Sequence, residues 1–255
     1  LPLESLVQMS DLNGIFQKYF NMNLDIEQLA SSPLNTSVEI LSSTSLKTVF
    51  INKNVDTRRQ IYLVLKALCA LEIKKQNKVA GNSKDPENTF SEVLDNFKAS
   101  YVAMSILINE SNFKADLELL FNRSNITQVH IDALLDKYGI TVEQLFQRFN
   151  LLPKYFGLRN FYFLRILHHK DTNEMQIDKE LHFSQQHLPF TSGLNEHYCV
   201  RWDVAKLLTM SGNEEIFSIQ KCNYYQTDFE YLSLSMRVYD PMRNENMVVD
   251  RKSVV

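Results

Sequence analysis

The chain has 255 residues, enough for one large domain or two modest ones, each with a real core. Hydrophobic residues make up 44% and charged residues 22%, the balance of an ordinary globular protein rather than a disordered or fibrous one. With 27 basic against 30 acidic side chains and a formal net charge of -3, nothing global pushes the chain towards nucleic acid, although a local basic patch stays open.

The opening residues, Leu1-Pro2-Leu3-Glu4, lack the basic and apolar regions of a signal peptide, and no apolar run anywhere is long enough to cross a bilayer. Position 1 is not Met, as expected of a piece of a longer protein. Leu12, Ile15, Phe16, Tyr19 and Phe20 fall on one face of a helix. Leu46 to Ile51 is β-branched and aromatic, which predicts a strand. Ile61, Val64, Leu65, Leu68 and Leu71 form a second helical stripe. Lys74 to Asn88, polar and carrying Gly81 and Pro86, is expected to be an exposed loop. A third helix carries Phe90, Val93, Leu94, Phe97, Tyr101, Met104 and Ile108 on its apolar face.

Residues 127–150 have a helix-turn-helix outline. Ile131, Leu134 and Leu135 mark the first helix, and Gly139 can adopt the left-handed conformation that ends it. Thr141 and Gln144 have the spacing of a capping box for the second helix, whose apolar face is Val142, Leu145, Phe146 and Phe149. After Pro153 the character changes to strands: Phe161 to Leu167, Glu215 to Lys221 and Phe229 to Val238. The last alternates Tyr231, Ser233 and Ser235 with Leu232, Leu234 and Met236, as a half-buried strand would. The expected class is α+β: a mainly helical domain over 1–153, then a smaller α+β domain with an antiparallel sheet over 154–255.

A strand, Arg58-Arg59-Gln60 and an amphipathic helix resemble the start of the ImmA/IrrE-like zinc peptidase domain. Ala99 to Ile108 resembles its second metal helix, and Asp132 to Phe149 the helix pair that follows. In that alignment Lys66 and Ala70 occupy the two His positions, Ala67 the catalytic Glu position and Asn96 the third-ligand position. An ammonium, methyl groups and an amide cannot form the donor cage that zinc requires, so the domain is expected to be degenerate, with no metal and no catalytic residues. A branch with the same loss is the XRE-type (Cro/CI-like) short-chain fatty-acyl transcription regulators of the RamB, MccR and PrpR type. The chain resembles them further in Phe161-Tyr162-Phe163-Leu164-Arg165-Ile166, Leu188-Pro189-Phe190, Gly193 and Cys199-Val200-Arg201-Trp202, and in a closing hairpin at Ile216 to Val238.

That resemblance implies the sensing and oligomerisation region of a regulator of acetate, propionate or glyoxylate metabolism. Its effector would be an acyl-coenzyme A, it would form a homodimer or higher homo-oligomer, and it would reach DNA through an N-terminal helix-turn-helix domain absent from this chain. Arg165, Arg201 and Trp202 are the ligand candidates, since guanidinium groups grip phosphates and an indole stacks on adenine. Phe161 and Phe163, with Tyr155, Phe156 and Tyr162, are candidates to line an acyl pocket, although aromatic clusters more commonly fill a core. Glu143, Gln144, Gln147 and Arg148 could touch bases if the helix pair bound DNA, but such pairs also serve as packing elements. His182, His187, His197 and Cys199 lie close in sequence but without a regular metal spacing. His168-His169, beside Lys170-Asp171, reads as a turn. Cys69, Cys199 and Cys222, odd in number and far apart, suit reduced thiols in the cytoplasm. The alternatives are a ligand-free dimerisation module and a residual hydrolase.

Overall fold

The structure is a computed structural model and describes residues 6–27, 38–42, 47–52, 55–79, 89–149, 161–169, 172, 174–183, 203–212, 216–223, 230–240 and 245–254. The chain is α+β. It divides into two compact units, one of residues 1–113 and 136–141, the other of residues 114–135 and 142–255. The expected boundary at 153–154 lies outside the described residues.

The first unit begins with α1 (Met9–Ile15), which runs into a π-helical turn, Phe16–Phe20. Asn21 ends that turn in the left-handed region, φ 51°, and its N–H donates to the Phe16 carbonyl. The expected stripe is present: Leu12 and Phe16 are buried, whereas Tyr19 is exposed. Three strands follow, β1 (Met22–Glu27), β2 (Val38–Ser42) and β3 (Lys47–Asn52). β3 is central, parallel to β1 and antiparallel to β2, and buries Val49 and Ile51. Only β3 was legible in advance.

Asp56 starts α2 (Thr57–Val79) by accepting hydrogen bonds from the backbone N–H groups of Arg58 and Arg59 at 2.9 and 3.3 Å. Gln60, buried, donates to the Asn52 carbonyl at 3.1 Å and fixes the strand-to-helix connection. The polar stretch expected to be a loop from Lys74 instead continues α2 to Val79; its Lys and Gln residues are good helix formers, and the absence of Gly or Pro before Gly81 leaves nothing to stop it. α2 packs against α3 (Thr89–Leu107). α3 exists as expected, but its buried residues are Asp95, Ala99, Ala103, Met104 and Leu107, while Phe90, Val93, Phe97 and Tyr101 are exposed. The small side chains of Ala99 and Ala103 are buried where the aromatic stripe was expected.

α4 (Glu110–Phe121), unforeseen, is capped by Asn109, whose Oδ1 accepts from the N–H groups of Ser111 and Asn112. α5 (Gln128–Tyr138) and α6 (Val142–Arg148) form the expected pair. Gly139 has φ +60°, the conformation the sequence asked of it, and a Cβ there would lie 3.1 Å from the Leu6 side chain. Within the first unit Arg58 reaches the Asp136 carboxylate and the Ile140 carbonyl, and Phe113 meets Tyr138 edge-on at 5.8 Å.

The second unit is built on a five-stranded antiparallel sheet, order β5-β4-β8-β7-β6, from β4 (Phe161–His169), β5 (Glu174–Phe183), β6 (Ile216–Asn223), β7 (Glu230–Asp240) and β8 (Glu245–Val254). His168 and His169 belong to the end of β4 rather than to a turn, and His169 Nε2 lies 2.9 Å from Gln176 Oε1 on the neighbouring strand. α7 (Asp203–Thr209) covers one face: Val204, Leu207 and Leu208 pack with Leu164, Ile166 and Val248. The other face carries Phe163, Arg165 and Met236, and meets α6 through Glu143. β7 is therefore covered on both sides. Ser233 and Ser235, expected on a wet face, are as buried as Leu234 and Met236. The alternation was real, but the polar side is covered by a helix.

Candidate functional site

The residues most suited to recognition lie where α6 meets the sheet. A register shift between Arg165 and Ile166 places Lys179 opposite Arg165 and Ile177 opposite Ile166, which leaves Asp178 as the extra residue of a bulge. A bulge re-aims side chains, and here both Asp178 and Lys179 come to the Arg165 side of the sheet. Arg165 Nε donates to Asp178 Oδ2 at 2.6 Å, and Nη2 also reaches that oxygen. Nη1 donates to both oxygens of Glu143, at 3.0 and 2.9 Å. Glu143 also accepts from Lys179 Nζ at 3.2 Å and from Gln147 Nε2 at 2.8 Å. The Lys179 ammonium lies 5.7 Å from the centre of the Phe163 ring.

Two cations thus meet two carboxylates in a half-buried place: the Arg165, Glu143 and Asp178 side chains are 18%, 16% and 21% exposed, and Lys179 is 34% exposed. Burial works against the Arg165 charge, but the attraction of Glu143 and Asp178 and their hydrogen bonds outweigh it, so its pKa is raised. The guanidinium stays charged at any working pH. Chemically the cluster can exchange one anion for another.

A second polar group lies on the α7 side. Asp203 Oδ2 accepts from Ser218 Oγ at 2.6 Å, and its backbone N–H donates to Gln220 Oε1 at 3.1 Å. Burial works to raise the Asp203 pKa, but the hydrogen bonds from Lys206 and Ser218 and the Lys206 charge overcome it, so the carboxyl titrates below its usual value. Arg237, 1% exposed, donates from Nη1 to the Met210 carbonyl at 2.8 Å, placing a cation just past the C-terminus of α7.

Among the ligand candidates, Arg165 sits in the ionic cluster and Phe163 is fully buried on the same side of β4. Phe161 and Tyr162 belong to β4, with only their backbone described; Tyr155, Phe156, Arg201 and Trp202 lie outside the described residues. Glu143 was foreseen only as a possible base contact; Asp178, Lys179 and Arg237 were missed. Gln144 and Arg148 are buried, so these two side chains of α6 face protein rather than solvent. The degenerate metal positions lie on two helices that pack together: Lys66, Ala67 and Ala70 are half-buried on α2, and Asn96 is exposed on α3. Among the described residues no group of three or more His, Cys, Asp or Glu side chains is placed to share a metal ion. His187, His197 and Cys199 lie outside them, and His182 and Cys222 are described only as backbone in β5 and β6. Cys69 is buried in α2, and that burial raises its thiol pKa.

Neither a protein-family model nor a curated protein sequence matches the chain. A solved structure does. The fold is similar to that of a Mycobacterium tuberculosis transcriptional regulator, with a TM-score of 0.63 and 13% identity, over 96% of this chain and 80% of the other. At that identity the likeness shows the fold alone. Among the described residues no helix is long and apolar enough to cross a membrane.

Proposed function

We propose that this chain is the effector-sensing part of a transcription regulator and that its second unit carries the sensor. The observation that carries the reading is the Arg165 cluster: one guanidinium and one ammonium hold α6 to the sheet through a single carboxylate, Glu143. An anionic effector competes directly with Glu143. A phosphate-bearing acyl-coenzyme A is the effector class that the resemblance implies, and the control of acetate, propionate or glyoxylate metabolism follows from the same source. The fold shared with a protein named a transcriptional regulator supports the regulatory half of the proposal.

Mechanistically, an effector shifts a conformational equilibrium only by its difference in affinity for the two states. Here the difference is built in: Arg165 and Lys179 are occupied by Glu143 in one state and available to phosphate in the other. Release of Glu143 frees the first turn of α6 from the sheet. DNA is contacted in this reading by a separate Cro/CI-like domain, not by α5 and α6, because Gln144 and Arg148 are buried. The chain works without catalysis. Calorimetric titration with acetyl-, propionyl- and free coenzyme A tests the proposal. Binding that is weakened at least tenfold in Arg165→Met supports it. No heat and no thermal shift with any of the three ends it.

A further inference from the structure

α3 carries an apolar stripe that the fold uses only in part. Phe90, Leu94, Phe97, Tyr101, Met104 and Ile108 are spaced four, three, four, three and four residues apart, the seam of a helix that packs on another helix. Met104 and Ile108 are buried in the chain's own core. The preceding four are not: Phe90 is 73% exposed, Phe97 56%, Tyr101 43% and Leu94 37%, with Val93 beside them at 66%.

The geometry points to a second copy of this chain as the occupant, with the two α3 helices antiparallel across a twofold axis. Three observations select that partner. First, the seam is self-complementary: an antiparallel copy centred between Asp95 and Asn96 sets Phe90 opposite Tyr101 and Leu94 opposite Phe97, and the symmetry repeats each layer. Aromatic pairs of this kind add about 0.5–1.5 kcal/mol beyond the area they bury. Second, the positions flanking the seam are Ser91, Val93, Lys98 and Ser100. The single charge among them, Lys98, already has Asp95 3.9 Å away, so no block of like charge repels the second copy. Third, the five exposed side chains leave on the order of 600 Å² uncovered, at the upper end of patches on monomers and just short of the roughly 800 Å² per partner of a standard interface. An area just short of the standard size fits a reversible dimer rather than an obligate one. The inference stands apart from the effector proposal, since it uses none of the Arg165 cluster.

Sedimentation velocity of the full chain between about 1 and 200 μM measures it, the range in which dimers of micromolar affinity dissociate. The expected result is a concentration-dependent dimer that Phe97→Glu converts to monomer, with an unchanged circular dichroism spectrum and, at a concentration where wild type is monomeric, an unchanged melting temperature because Phe97 is exposed. Phe97→Leu, which keeps an apolar seam, retains the dimer. A chain that stays monomeric throughout, or a dimer that survives Phe97→Glu, overturns the proposal. A Phe97→Glu chain that melts well below wild type at a concentration where both are monomeric also overturns it, since the stripe then serves the chain's own fold.

Discussion

Glu143→Gln is the sharpest perturbation of the Arg165 cluster, because it keeps the shape of the side chain and removes its charge. The wild-type carboxylate accepts two bonds from Arg165 Nη1 and one from Lys179. Exposed ion pairs contribute about 0–1 kcal/mol, whereas breaking a fully buried one costs about 3–5 kcal/mol. At 16–18% exposure this pair lies between those limits. Asp178 stays bound to Nε, so Arg165 is not orphaned. A loss of about 2 kcal/mol is expected, with a coupling of about 1.5 kcal/mol in a double-mutant cycle with Arg165→Met. Urea unfolding followed by circular dichroism supplies the four stabilities. The Arg58–Asp136 pair, 37% and 72% exposed, is the internal control and should couple by no more than about 0.5 kcal/mol. Raising the salt should halve the control and leave the Glu143 coupling largely intact. A Glu143–Arg165 coupling equal to the control's would refute the argument that the protein shields this site, and with it the reason for treating it as a latch.

Other positions test other parts of the fold. Arg237→Ala removes a buried side chain and leaves the Met210 carbonyl without its donor, a loss of about 3 kcal/mol in urea unfolding. Asp203 has a depressed folded pKa, so its contribution is complete above the unfolded carboxylate value and fades as the pH falls through the folded one. Asp203→Asn should therefore cost about 1 kcal/mol at pH 7, and the gap to wild type should close as the pH drops below about 4. Gly139→Ala places a Cβ at φ +60°, which costs about 1–2 kcal/mol and lowers the melting temperature; Leu6, a flexible neighbour, can give way. Asp56→Ala removes two N-cap bonds from α2 and should cost about 1 kcal/mol in the same assay.

What could be read in advance followed from local chemistry. Gly139 announced its turn because few other residues tolerate a positive φ, and β3, β4, β6 and β7 announced themselves by β-branched and aromatic runs. β5 and β8 went unassigned because composition hides them: Asp178-Lys179-Glu180 and Asp250-Arg251-Lys252 interrupt any apolar alternation, and only the pairing with β4 and β7 makes them strands. Asp178 could not be foreseen as a partner of Arg165, because only the bulge brings it there. Of the stripe expected on α3, only its C-terminal end, Met104 and Ile108, faces inward. Apolar periodicity locates a stripe, but the stripe's partner can be another helix, another copy or the core, and along the rest of α3 the buried positions include Ala99 and Ala103 instead. In α6 the expected apolar face was right, and the buried Gln144 and Arg148 beside it were not foreseen.

The buried polar groups of the second unit also answer a question of register. Both faces of β7 are covered, so the hydrophobic effect alone discriminates weakly against a one-residue slip, which exchanges its two faces. Arg237 supplies the discrimination. In the observed register it lies in a row with Ile216, Val248, Ile166 and Ile177, on the side where α7 ends and the Met210 carbonyl waits. A slip by one would turn the guanidinium towards the row of Phe217, Val249 and Arg165, adding a second cation to the α6 side and taking Nη1 away from the Met210 carbonyl. Drawing a buried cation away from its acceptor carries a desolvation cost that the native register avoids. Arg165 acts the same way at the other edge of the sheet, because its two carboxylates come from α6 and from a bulge that exists in one register only. The two arginines thus fix strand pairing from opposite faces. Arg165 is held by a carboxylate that an incoming anion can replace, which is why the proposed sensing role falls to it, whereas Arg237 donates to a backbone carbonyl just past α7.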